Sequence, residues 1–74
     1  MDTAQEVFSL EGREYIALHQ LLKFKGWCSS GAEAKQVIDA GKVWVDGAVE
    51  LRKRCKIKAN QTVVFASHRV NITA

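Results

Sequence analysis

The segment SSGAEAKQVIDAGKVWVDGA, residues 29–48, restricts the possible folds more than any other part of the chain. Ser30 followed three residues later by Glu33 is a capping box, Ala34, Val37 and Ile38 form an apolar stripe, and Gly41 sits where a left-handed cap is wanted. This spacing predicts a helix over residues 30–40, with Lys35 off the stripe. KVWV, residues 42–45, then reads as a strand. Asp46-Gly47 predicts a two-residue hairpin, because both residues tolerate positive φ. Alternation makes Val43 and Val45 the core pair and puts Lys42 and Trp44 on the other face. An aromatic flanked by charge suits a stacked base; the competing reading is that Trp44 covers the sheet edge or packs under the N-terminal strand.

Leu18, Leu21, Leu22 and Lys25 follow i, i+3, i+4, i+7 spacing, which predicts a shorter helix over 17–25 that ends at Gly26. It buries the leucines and leaves Lys23 and Lys25 at a wet edge. Trp27 is expected to plug the core between the two helices. EVFSL, residues 6–10, predicts a first strand ending at Gly12, and 62–66 and 69–73 predict two more, with Ser67-His68 as their turn. Asn60 is the residue of the 59–61 turn most able to adopt a left-handed conformation. The order predicts an α+β fold, with two short helices packed on a small, mostly antiparallel, curved β-sheet. With 74 residues and no proline, the expectation is one domain over 1–74, residues 1–13 forming an N-terminal strand and tail.

Enzymatic constellations are thin. His19 and His68 do not fall at metal-ligand spacing with a cysteine pair, and Cys28 has no base placed beside it by local sequence. The glycines form no phosphate loop, and the acids no catalytic carboxylate pair. No catalysis, metal or cofactor is expected. No apolar stretch approaches a membrane span, and MDTAQEV carries two acids and no base, unlike a secretory leader. A cytoplasmic protein with Cys28 and Cys55 as reduced thiols follows.

Charge is unevenly distributed. Residues 1–16 balance to −3, with Arg13 against Asp2, Glu6, Glu11 and Glu14, whereas Arg52, Lys53, Arg54, Lys56 and Lys58 make +5 with no interleaved acid. Unpaired charges are costly to bury, so most of these side chains are expected at the surface, free for phosphates. If 56–58 is extended, Ile57 anchors it while Lys56 and Lys58 share the outer face. Composition alone leaves three partners open: nucleic acid, an anionic membrane or acidic protein surface, or solvent.

The run SSGAEAKQVIDAGKVWVDG followed by LRKRCKIKANQTVVF resembles the RNA-binding module named after the fourth protein of the small ribosomal subunit, above all its small bacterial stand-alone members. The resemblance covers about residues 14–74. It implies an αL RNA-binding motif and a non-catalytic protein that binds structured RNA, ribosomal or ribosome-associated, as a monomer. No membrane is involved in this reading. The contact positions it implies are Lys35, Lys42 and the run Arg52, Lys53, Arg54 and Lys56, flanked by Lys23 and Lys25; Trp44 and Lys58 join them on the residue reading above. The α-helix over 30–40 also offers a positive N-terminal end to phosphate, for which Glu33 competes. Two departures stand out: Asp46 replaces the usual hairpin asparagine, and KANQ replaces a proline and glycine-aspartate turn, which implies a looser turn. The runner-up function is an adaptor that holds an acidic protein partner through Trp44 and the basic strand.

Overall fold

A computed structural model describes residues 4–74, with side chains from residue 6 onward. The elements in order are β1 (Ala4–Ser9), β2 (Ile16–Ala17), α1 (Leu18–Phe24), α2 (Gly31–Asp39), β3 (Val43–Val45), β4 (Ala48–Val49), β5 (Lys56–Ile57), β6 (Thr62–Phe65) and β7 (His68–Thr73). Five strands form one sheet in the order β1-β7-β6-β3-β4, and β2 pairs with β5 in a second, two-stranded sheet. Every pairing is antiparallel except β1 with β7. The fold is thus α+β, with two short helices on a mostly antiparallel sheet.

Local signals set the helices. Ser30 Oγ accepts the Glu33 N–H at 3.1 Å, while the Glu33 carboxylate reaches back past the cap to accept the Ser29 N–H and hydroxyl at 2.6 and 2.9 Å. Both helices end in the same device. Gly26 and Gly41 take φ +74° and +75°. The N–H groups of Gly26 and Trp27 donate to Lys23 O and Leu22 O, and those of Gly41 and Lys42 to Ile38 O and Val37 O. Each is a Schellman motif, which uses a left-handed glycine to satisfy carbonyls the helix leaves open. The Asp46-Gly47 turn has φ +51° and +87°, with Val45 opposite Ala48, as a tight hairpin demands.

Leu18, Leu21, Leu22, Ala34 and Ile38 of the helices pack on Val43, Ile57, Val63, Val70 and Ile72 of the strands, all essentially inaccessible. A fully buried aliphatic side chain of this size contributes about 1.5–3 kcal/mol of transfer free energy, so this cluster dominates the fold. Val43 and Val45 face it, and Trp44 faces outward, 38% exposed.

Several expectations need correction. The first strand runs Ala4–Ser9 rather than 6–10, because it follows β7 in parallel register from Ala4 opposite His68 to Ser9 opposite Thr73. Of the acidic segment, Ala4–Ser9 therefore lies on the sheet, Glu11 and Glu14 fall in the exposed turn and loop that follow, and Asp2 lies outside the described residues. The β6–β7 turn is Ala66-Ser67, not Ser67-His68, since Phe65 pairs with His68 and Ala66 takes φ +55°. Trp27 packs half-buried against the core, and beyond the helix–helix role expected of it, it stacks on His68 at 4.9 Å between centroids and lies 6.4 Å from Phe65, tying the inter-helix loop to the β6–β7 hairpin. The KANQ turn is not loose. Asn60, at φ +74°, donates its N–H to Ile72 O at 2.7 Å, and Gln61 Oε1 accepts the Lys58 N–H at 2.7 Å. Asp46 braces the same corner, accepting from the Thr62 N–H and Gln61 Nε2. Among the described residues no helix is long and apolar enough to cross a membrane.

The two glycines at the ends of α2 separate conformational from steric demands. A Cβ on Gly31 meets nothing within 4 Å and its φ is ordinary, whereas Gly41 is left-handed. Urea unfolding of Gly31→Ala is expected to show stabilisation of about 0.4–1 kcal/mol. For Gly41→Ala the expected result is a loss of about 1–2 kcal/mol, and equal effects of the two would contradict this account.

Candidate nucleic-acid interface

The basic segment is shaped by the helix beside it. The N-cap position of α1 is Ala17, which has no side chain able to cap it. Its first N–H groups are satisfied instead by the segment's carbonyls: Leu18 N–H donates to Cys55 O at 2.9 Å and His19 N–H to Lys53 O at 3.1 Å. The His19 ring adds Nδ1 at 3.0 Å from the same Lys53 oxygen. A carbonyl only accepts, so Nδ1 carries the proton and Nε2 of the neutral ring is left as an acceptor. The pairing of Ile16 with Ile57 and of Ala17 with Lys56 extends this junction, and both isoleucines are buried.

Two of the five bases are not free, contrary to the sequence expectation. Arg52 forks onto Glu50, with Nε to Oε2 at 2.9 Å and a terminal nitrogen to Oε1 at 3.2 Å, and the Arg52 N–H also donates to Oε2. These side-chain hydrogen bonds, and then the backbone one, pull the Glu50 carboxyl down to about 2. Lys53 Nζ pairs with Asp39 of α2 at 2.9 Å. Both acids lie outside the run itself, Glu50 just before it and Asp39 on α2. Among the described residues Arg54, Lys56 and Lys58 have no carboxylate partner and are exposed, while Ile57 anchors the strand as its alternation predicts. Lys56 Nζ stands 5.1 Å from the centroid of the Tyr15 ring.

Three adjoining open depressions follow this surface. The first, of ≈ 600 Å³, runs between Ala32, Lys35, Gln36 and Asp39 of α2 and the loop residues Lys53 and Arg54. The second, of ≈ 430 Å³, is lined by Arg52, Arg54, Cys55, Lys56 and Lys58. The third, also ≈ 430 Å³, is lined by Tyr15, Ala17, His19, Gln20, Arg54 and Lys56. Arg54 borders all three. The structure thus gathers Lys35, Arg52, Lys53, Arg54, Lys56 and Lys58. Lys23, Lys25, Lys42 and Trp44 line none of these depressions. Lys25 is held by Glu6 at 2.7 Å, which lowers the Glu6 carboxyl, and Trp44 sits on the sheet face turned away from the helices.

Sequence reasoning did not select Tyr15, His19, Gln20 or Gln36. The only signal for Tyr15 is an aromatic next to the apolar Ile16 at the start of a helix, and nothing local says that it meets Lys56. The remaining chemistry is closed. The Glu33 carboxylate occupies the N-terminal end of α2 through Ser29, which lowers its own protonation range, so that end is not open to phosphate. Burial pushes the Cys28 thiol up and Glu33 adds to this; burial likewise raises Cys55. A nucleophilic thiol needs the opposite shift. Among the described residues no group of three or more His, Cys, Asp or Glu side chains could hold a metal.

The family model described as the S4 domain matches residues 8–73. YbcJ of Escherichia coli (strain K12) is 57% identical over 67 residues, covering 90% of this chain and 96% of YbcJ, and YbcJ of Shigella flexneri matches to the same extent. The solution structure of the Escherichia coli protein superposes with a TM-score of 0.73 at 53% identity, over 100% of this chain and 91% of that one. That structure is described as revealing an αL motif involved in RNA binding.

The Glu50–Arg52 clamp has a pH signature. A carboxyl lowered on folding contributes stability that is present above its ordinary value of 4.5 and is lost as pH falls toward about 2. The difference in urea stability between wild type and Glu50→Gln is expected to be constant above about pH 5 and to shrink toward pH 2. A gap that stays constant to pH 2 would remove the clamp from the account.

Proposed function

The chain belongs to the S4 domain family, and on that footing we propose that it is a non-catalytic RNA-binding protein whose Arg54-centred basic surface docks structured RNA. The RNA is ribosomal or ribosome-associated, and the protein works in the bacterial cytoplasm as a single-domain monomer without a cofactor. The observation that carries this reading is the group Arg54, Lys56 and Lys58, cations without carboxylate partners among the described residues, which lie on a segment that α1 holds in place; Arg54 also faces Lys35 across the first depression. The αL motif of Escherichia coli YbcJ is involved in RNA binding, which supports the same use here.

Base-paired RNA keeps its base edges in a deep groove that side chains do not read, so the surface recognises backbone shape and phosphate spacing. Arg54 offers a planar fork to phosphate, while Lys35, Lys56 and Lys58 act as movable point charges. Arg52 and Lys53 join only by sharing or leaving Glu50 and Asp39. Lys23, Lys25, Lys42 and Trp44 lie outside the depressions and contribute long-range attraction or contacts to a larger RNA.

The test is affinity for a hairpin RNA and for a single strand at several salt concentrations. About four phosphates neutralised predict that binding to the hairpin falls with roughly the third to fourth power of salt. Replacing Arg52, Lys53, Arg54 and Lys56 together by alanine, with the fold retained, removes both affinity and salt slope. Arg54→Ala alone lowers the slope by about 1. Asp39→Asn frees Lys53 and is expected to strengthen binding and steepen the slope. If the wild type binds neither RNA better than a generic polyanion, the partner is to be sought among acidic proteins instead.

A further inference from the structure

We infer that the depression beside Tyr15 receives a single unpaired nucleobase of the RNA, so that the protein prefers a stem interrupted by a bulged nucleotide; this rests on the RNA-binding reading above. Of the three depressions around Arg54, this one alone is lined by an aromatic ring. Tyr15 is 44% exposed, yet its backbone is held in place because the next residue, Ile16, is buried opposite Ile57. A rigidly mounted, accessible ring is what a base needs to stack on, and stacking tolerates any base because every base has a π face.

The groups around the ring complement the rest of a nucleotide. Lys56 Nζ stands over the ring at 5.1 Å, and Arg54 lines the same wall, so two cations lie within reach of the flanking phosphates. Gln20 is exposed and carries both a donor and an acceptor. His19 is oriented by its Nδ1 contact with Lys53 O, which leaves Nε2 as an acceptor. Ala17 adds a small apolar contact. A ring, an amide and an imidazole together address a base, whereas the other two depressions present mainly charge and address phosphates. Paired bases of an A-form stem are inaccessible to such a site, so the base that enters must be unpaired. Because Arg54 borders every depression, the phosphates of the stem and the extruded nucleotide are gripped side by side.

The experiment compares two hairpin RNAs identical except for one bulged 2-aminopurine nucleotide, each titrated with wild type, Tyr15→Ala and Tyr15→Trp. Wild type is expected to favour the bulged RNA and to quench its fluorescence on binding. Tyr15→Ala is expected to weaken binding of the bulged RNA by roughly 5- to 150-fold, to leave the paired hairpin and the salt slope nearly unchanged, and to abolish the quench. Tyr15→Trp retains both preference and quench. The inference is overturned if wild type binds the two hairpins equally, or if Tyr15→Ala weakens both by the same factor. In either case binding of the paired hairpin keeps the RNA reading intact. Absence of binding to both hairpins at low salt would instead overturn the RNA reading and this inference with it.

Discussion

The contact on which the rest depends is the one between the uncapped start of α1 and the carbonyls of the basic segment. Ala17 cannot satisfy the first amides of the helix, and Cys55 O and Lys53 O do so from a distant part of the chain. Unsatisfied amides at a buried helix end are costly, so the helix is stabilised by the loop that supplies its acceptors. The buried pair Ile16 and Ile57 secures the junction beneath. A segment rich in like charges would otherwise stay extended and mobile; here its backbone is fixed while its side chains remain outside.

Charge within that segment is divided between holding shape and remaining available. Glu50 and Asp39 neutralise Arg52 and Lys53, one within the loop and one from α2, so the second contact ties the segment to that helix. Exposed ion pairs of this kind contribute little to stability, up to about 1 kcal/mol. Their effect is on charge: they occupy Arg52 and Lys53 and leave Arg54, Lys56 and Lys58 to carry the surface potential. A second set of charges is used differently. Glu6 of β1 binds Lys25 and lies 3.5 Å from His68 Nδ1, and His68 stacks on Trp27, so β1, α1 and the β6–β7 hairpin meet in one partly buried cluster. Lys25 belongs to that structural cluster and lines none of the depressions, although the family resemblance placed it beside the contact positions.

The sequence by itself determined the features that physical chemistry encodes over a few residues. The helix over Gly31–Asp39 follows from Ser30, Glu33 and Gly41; the hairpin follows from Asp46-Gly47; the outward lysines around a buried Ile57 follow from alternation. Family resemblance added the expectation of RNA, which no spacing of residues supplies. Only the tertiary structure decided which cations are free, where Trp27 packs, that β1 lies parallel to β7, and that Tyr15 stands beneath Lys56. Each of these depends on contacts between segments far apart in the chain. Such contacts are selected by how a shared core closes and by which buried amides need partners, and those choices leave no periodic mark on the residues that make them.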